Sequence, residues 1–259
     1  MKTLTWDVVA VALIAMAGAW AAPPWETLTW NAVTVGGAPY VDQHYVEYPT
    51  LDNTRTTADP HRVDIVGNTT YPAAYWATDG QNLMFRMRLD AVPGLPPDAV
   101  WSAVLNTNGD ALAEYVMQLD LKSHEQVEII ATISGGPANL WQDLAYVDAP
   151  HTGPTGGVPT DWYRAAVVTD GSDFVNNPVD TDSFVDFGFD LATLYAVTGM
   201  SPGSSFQVAF ATSTSHVGSL KDLPDDGWSD PIMVPEPAAL AVLLVLGGAA
   251  LRRCRRNSA

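Results

Sequence analysis

The 259-residue chain predicts an all-β fold, an antiparallel β-sandwich with one short helix and a hydrophobic helix at the C-terminus. Three observations carry that prediction. Short runs with apolar residues at every second position recur through the middle of the chain, which is the period of a half-buried strand. Clusters of Gly, Asn, Asp and Pro separate these runs at roughly the 8 to 12 residue spacing of small sandwiches and barrels. Only one internal segment carries both a helix start and a helix stop, Asp190 before residues 191–198 and Gly199 after them.

Taken in order, residues 1–21 read as a signal peptide. Lys2 is followed by an apolar stretch over 8–19, and Ala19-Trp20-Ala21 puts small residues where a signal peptidase reads them. Residues 22–59 are rich in Trp25, Trp30, Tyr40, Tyr45 and Tyr48 and poor in pattern, with one expected strand over 28–35 closed by Gly36-Gly37. These rings either pack the edge of a sheet or form a sugar-stacking surface.

Period-two alternation becomes clear after residue 59. Expected strands 71–77 and 83–89 flank Thr78-Asp79-Gly80-Gln81, and Asp-Gly between two apolar runs is a strong hairpin signal. Leu83, Phe85, Met87 and Leu89 share one face, while Met84, Arg86, Arg88 and Asp90 share the other. The two arginines suit cross-strand pairing with carboxylates on so acidic a chain, or an anionic ligand. A second hairpin is expected at 100–105 and 113–121 around Asn106-Thr107-Asn108-Gly109-Asp110. A further strand, 127–133, follows a turn containing His124, which gives three strands in meander order. Five glycines and four prolines then make 135–159 a long loop around one short candidate strand at 140–147. Strands at 162–169, 184–189 and 206–211 and the helix at 191–198 complete a domain over 22–233.

The end of the chain has a different grammar. Val234-Pro235-Glu236-Pro237 is followed by an uncharged run over 238–251 and then by Arg252, Arg253, Cys254, Arg255 and Arg256. Pro235 and Pro237 lack a backbone donor and restrict the residue before them, so a helix starts at or after Pro237. Fourteen residues of helix reach about 21 Å at about 1.5 Å per residue, against a hydrocarbon core of about 30 Å. A transient membrane segment with its arginines on the cytoplasmic side fits that length. Segment 234–259 resembles the PEP-CTERM sorting signal, in which a Pro-Glu-Pro, a short apolar helix and an arginine cluster follow one another at the terminus. Cys254 departs from the commonest all-arginine end. The resemblance implies processing by an exosortase and delivery to the outer surface or extracellular matrix of a Gram-negative bacterium after transient anchoring in the inner membrane.

A looser resemblance covers the body. Tyr75-Trp76-Ala77-Thr78-Asp79-Gly80, the Arg86-Met87-Arg88 strand, the Asn106–Asp110 turn, Phe189-Asp190-Leu191 leading into a helix and Trp228-Ser229-Asp230-Pro231 together resemble bacterial sandwiches of the jelly-roll kind, similar to family 9 carbohydrate-binding modules. These motifs are largely structural and carry no ligand across.

Composition narrows the function. Between the two ends stand 27 Asp and Glu against 7 Lys and Arg, a formal charge of −20. Such a field repels nucleic acid and anionic lipid and leaves divalent cations, neutral ligands and solvent as partners. Cys254 is the only cysteine, so the body has neither a disulfide nor a cysteine nucleophile. Asp170, Asp173, Asp180, Asp182 and Asp186, beside Asn176 and Asn177, supply the oxygen ligands that calcium takes at about 6 to 8 per ion. Two more acidic loops, Asn106/Asn108/Asp110 and Asp222/Asp225/Asp226/Asp230, are further candidates of the same kind. The competing reading for all three is solvated turn residues that also cap backbone donors. His44, His61, His124, His151 and His216 show no metal or triad spacing, and no carboxylate pair stands out for glycoside hydrolysis. No catalytic residue is assigned. The expected function is that of an exported, surface-sorted, non-catalytic sandwich that binds or organises extracellular polysaccharide. The alternative is a structural envelope or matrix protein without a specific ligand, and a glycan-active enzyme ranks third.

Overall fold

The computed structural model describes residues 23–41, 65–90, 99–110, 112–121, 126–132, 141–148, 162–170, 182–213, 220–222 and 227–234. The signal peptide, the sorting tail from Pro235 onward, the His124 turn and most of the 135–159 loop lie outside these residues, as do all five histidines.

Within them the chain is mostly β, built from antiparallel sheets with one helix. One five-stranded sheet runs in the order β1 (Asn31–Ala32), β4 (Ala74–Thr78), β5 (Asn82–Leu89), β11 (Ser183–Asp190) and β10 (Tyr163–Val167). The other runs β13 (Leu220–Asp222), β12 (Ser205–Ser213), β6 (Val100–Asn106), β7 (Tyr115–Asp120), β8 (Gln126–Thr132) and β9 (Trp141–Asp148), with β14 (Ile232–Met233) also pairing β12. A small hairpin, β2 (Thr34–Val35) with β3 (Ala38–Pro39), stands apart.

Local chemistry explains the hairpins. Asp79 accepts from the backbone N–H groups of Gln81 at 2.8 Å and Asn82 at 2.7 Å, and Gly80 takes φ 84°, which closes β4 on β5 as the expected hairpin, with Thr78 opposite Leu83. The second expected hairpin forms between β6 and β7, and the meander continues through β8 into β9. The single helix, α1 (Leu191–Thr198), is bounded as expected. Asp190 accepts from Thr193 N at 2.8 Å, and Gly199, at φ 71°, donates to the Tyr195 carbonyl at 3.0 Å.

Apolar alternation sets which faces meet. Leu83, Phe85, Met87 and Leu89 of β5 and Val185, Phe187 and Phe189 of β11 share one buried cluster with Trp101, Ala103 and Leu105 of β6, Met117 and Leu119 of β7, and Phe206, Val208 and Phe210 of β12. Phe85 sits at the junction, its ring 5.7 Å from Phe210 and 6.3 Å from Phe206, edge to face with both.

The N-terminal stretch differs from the single strand expected over 28–35. Trp25–Thr27 is a 3-10 turn, and β1 and β2 belong to different pairings. Val33 lies between them, with its N–H on the Ala74 carbonyl at 3.0 Å, its carbonyl accepting from Tyr40 N at 2.7 Å and its side chain buried. The chain therefore leaves the sheet edge at Val33 to make the Gly36-Gly37 hairpin. Strands β13 and β14 were not expected either: two or three residues carry too little period to be seen.

Candidate functional site

The face of the five-stranded sheet turned away from the core cluster gathers three of the seven cationic side chains between the two terminal segments. Strand β5 supplies Arg86 and Arg88, β10 supplies Arg164, β11 supplies Phe184 and Asp186, and β4 supplies Tyr75. Residues 25–30, lying across the same face, bring Trp25, Glu26 and Trp30.

Register does most of the assembly. Asp186 is the direct cross-strand partner of Arg86 and of Arg164, one on each side. Its buried carboxylate receives Arg86 through two parallel bonds, Nε to Oδ1 at 2.6 Å and Nη2 to Oδ2 at 2.7 Å, and Arg164 Nε at 2.8 Å. This two-pronged geometry is the strong form of an arginine–carboxylate contact. Arg164 also reaches the exposed Glu26 at 2.6 Å, which ties the N-terminal turn to β10.

Arg88 is fully buried. Its Nη2 lies 2.7 Å from Asp170 Oδ2, its Nη1 3.7 Å from the buried Asp182, and it donates to Tyr75 Oη and to the Pro72 carbonyl, each at 3.3 Å. Burial works against its charge, but the hydrogen bonds it donates to Asp170 and Tyr75, with the charge of those groups, together outweigh that, and the guanidinium is held above its ordinary range.

Aromatic rings fill the gaps between these charges. The Arg86 guanidinium carbon is 4.1 Å from the Trp30 ring centre and 4.5 Å from that of Phe184; Arg88 is 4.7 Å from Phe184 and 5.8 Å from Tyr71. Arg164 stands 5.6 Å from Trp25, whose ring lies nearly parallel to Trp30 with centroids 6.5 Å apart. The result is a ladder of rings and guanidinium planes, each cation–π step worth about 0.5 to 2 kcal/mol as exposure falls. Trp25 packs with Ala77 and Met84 in a second small cluster beneath it.

The expected pairing of Arg86 and Arg88 with carboxylates is what forms. Of the five aspartates considered as calcium ligands, three are described. Asp170 and Asp182 converge on Arg88, Asp186 lies between Arg86 and Arg164, and Asp173 and Asp180 lie outside the described residues. Among the described residues no three His, Cys, Asp or Glu side chains gather as a metal would require. The Asn106–Asp110 loop is filled by its own bonds: Glu114 accepts from Thr107 N at 2.7 Å and Asn108 Nδ2 at 2.9 Å, and Asn106 Oδ1 accepts from Gly109 N at 2.8 Å. In the third acidic group, Asp230 clamps the β2–β3 hairpin, accepting from the Thr34 hydroxyl at 2.6 Å, Gly37 N at 2.8 Å and Gly36 N at 3.0 Å. These bonds, Thr34 first, lower its pKa. Only the backbone of Asp222 is described, and Asp225 and Asp226 lie outside.

In the sorting motif only Val234 is described, and it belongs to the body: it is buried in the core cluster. Pro235, Glu236, Pro237, Arg252, Arg253, Arg255 and Arg256 lie outside. No helix among the described residues is long and apolar enough to cross a membrane.

Glu26 and Arg164 were not singled out from the sequence. A usable signal was present: where cations are so scarce, each arginine within a strand invites the question of which carboxylate it opposes. Compared with known proteins, the chain matches no family model, no curated sequence and no solved structure.

Proposed function

We propose that the protein is an exported, surface-sorted, non-catalytic β-sandwich that binds or organises extracellular polysaccharide. The sandwich reading is supported by the large core cluster fed from both sheets. The observation that carries the binding reading is the outer face of the five-stranded sheet, where Trp30, Tyr71, Tyr75 and Phe184 remain partly exposed and are held in place by guanidinium groups. Rings fixed before a ligand arrives lose little entropy on binding, and their edges and remaining faces suit the C–H surfaces of sugars. Every arginine on this face has a carboxylate partner, so the ligand it suits is uncharged.

Export rests on residues 1–21 and on signal peptidase. Sorting rests on the Val234-to-Arg256 cassette and an exosortase, with a transient inner-membrane anchor before release to the envelope surface or matrix of a Gram-negative cell. The second reading, a matrix protein without a specific ligand, is favoured by how completely the ladder satisfies itself. Retention of the purified protein on gels of neutral and of acidic polysaccharide tests the pair. The binding reading expects retention on a neutral gel that Trp30→Ala and Tyr75→Ala both weaken. Equal elution of parent and variants from every gel leaves the structural reading.

A further inference from the structure

The first residue of the sorting motif, Val234, is itself bonded into the body. Ser229 is buried, its N–H on the Val208 carbonyl at 2.9 Å and its hydroxyl accepting from Val208 N at 2.9 Å. Asp230 follows, with its N–H on the Thr34 carbonyl at 2.6 Å and its carboxylate across the Gly36-Gly37 turn. Ile232 and Met233 then pair with Phe206 and Ser205 of β12. Val234 closes the run: its N–H donates to the Ser204 carbonyl at 2.8 Å, and its carbonyl accepts from Gly203 N at 3.1 Å. Ile232 and Val234 point into the core, while Met233 between them is 58% exposed. Pro235 is the next residue.

We propose that residues 229–234 form a clasp that fixes where the tail can be removed. A peptidase holds its substrate extended, with backbone hydrogen bonds on both sides of the bond it cuts. Within 229–234 those backbone groups are taken by β12, the Gly203 turn and the β2–β3 hairpin. A cut within 229–234 of the folded protein therefore waits for the clasp to open, and removal of the tail with the clasp closed is confined to bonds C-terminal to Val234. Cleavage adds water across the bond, leaving a carboxylate on the body and an amine on the tail, so the released body keeps Val234 and with it a closed edge. The clasp binds the two ends of the domain together, since Thr34, Gly36 and Gly37 hold Asp230 across nearly 200 positions of sequence. The inference rests on reading the tail as a removable segment.

The test is timed digestion of the full-length protein in detergent with a broad-specificity protease, following the body's C-terminal mass. The parent is expected to yield a body that ends at Val234 or beyond. Asp230→Ala, and the milder Thr34→Val, are expected to speed cuts inside 229–234, the first by at least about tenfold where opening precedes cleavage. Met233→Ser, altering an exposed side chain of the same strand, is expected to leave the pattern as in the parent. Cuts within 229–234 of the parent as fast as those beyond it would overturn the clasp. So would an Asp230→Ala pattern identical to the parent's. Because the protease is a general one, this result stands apart from the sorting reading, which fails instead if a chain ending at Val234 fractionates with the membrane as the full chain does.

Discussion

Replacing Asp186 with Asn removes one charge and no volume from the centre of the arginine–aromatic face. In the parent the Asp186 side chain is 0% exposed and serves two guanidinium groups, Arg86 at 13% and Arg164 at 20% side-chain exposure. Removing one partner of a buried pair costs about 3 to 5 kcal/mol, because the remaining charge loses its compensation. Both arginine heads reach some water, which places the expected cost at the low end, about 3 kcal/mol. For a domain of this size each kcal/mol moves the melting temperature by about 2 to 4 °C, so a fall of about 6 to 12 °C is expected. Thermal unfolding followed by circular dichroism measures it. Glu26→Gln supplies the internal comparison: its side chain is 75% exposed, and an exposed pair of this kind is worth about 0 to 1 kcal/mol. An Asp186→Asn protein that melts within about 2 °C of the parent, or no lower than Glu26→Gln, would refute the view that the ladder depends on its shared carboxylate.

Other expectations follow from the same geometry. Asp230 has a lowered carboxylate pKa, so its contribution is fully present above the ordinary value of 3.8 and is lost as pH falls through the lower folded value. Melting curves of the parent and Asp230→Asn are therefore expected to differ by a constant amount above about pH 4 and to converge in more acidic buffer, as scanning calorimetry across that range would read. Asp182→Asn is expected to destabilise more than Asp170→Asn, because the Asp182 side chain is fully buried and that of Asp170 is 37% exposed. Repeating the pair with millimolar calcium at matched ionic strength separates a partner of Arg88 from a calcium ligand, since only a ligand loses a calcium response on substitution. Gly188→Ala would set a methyl 2.7 Å from Met84 Cγ and 2.8 Å from the Leu83 carbonyl, and a backbone oxygen cannot move aside. Denaturant unfolding is expected to show a loss of about 1 to 3 kcal/mol.

Much of the fold could be read from sequence because its signals are local. Asp79-Gly80 and Asp190 with Gly199 act through bonds to residues within four positions, so each motif carries its own explanation. The alternation of β5 likewise separated Phe85 from Arg86 before any partner was known. Long-range pairings were not available in this way. Asp186 stands among five aspartates in 17 residues, a cluster that suits calcium on composition alone. Its role is set by register with Arg86, a hundred positions earlier, and with Arg164, and no local pattern encodes which strand lies beside which. The same holds for Asp230, whose use depends on a hairpin near the other end of the chain.

The acidity of the body and the pairing of Arg86, Arg88 and Arg164 are linked. A domain with a large excess of carboxylates has few cations to spend, and repulsion among the carboxylates disfavours the compact state. Scattered on the surface, each arginine would form exposed pairs of small value. Gathered on one sheet face, Arg86, Arg88 and Arg164 act where neighbouring rings limit their contact with water, so that each serves a carboxylate and an aromatic face at once. The arrangement also places Asp182 and Asp186, two fully buried acids, where a positive charge is assured. It fills the outer face of the five-stranded sheet with guanidinium groups that are each matched by a carboxylate and a ring, without adding net positive charge.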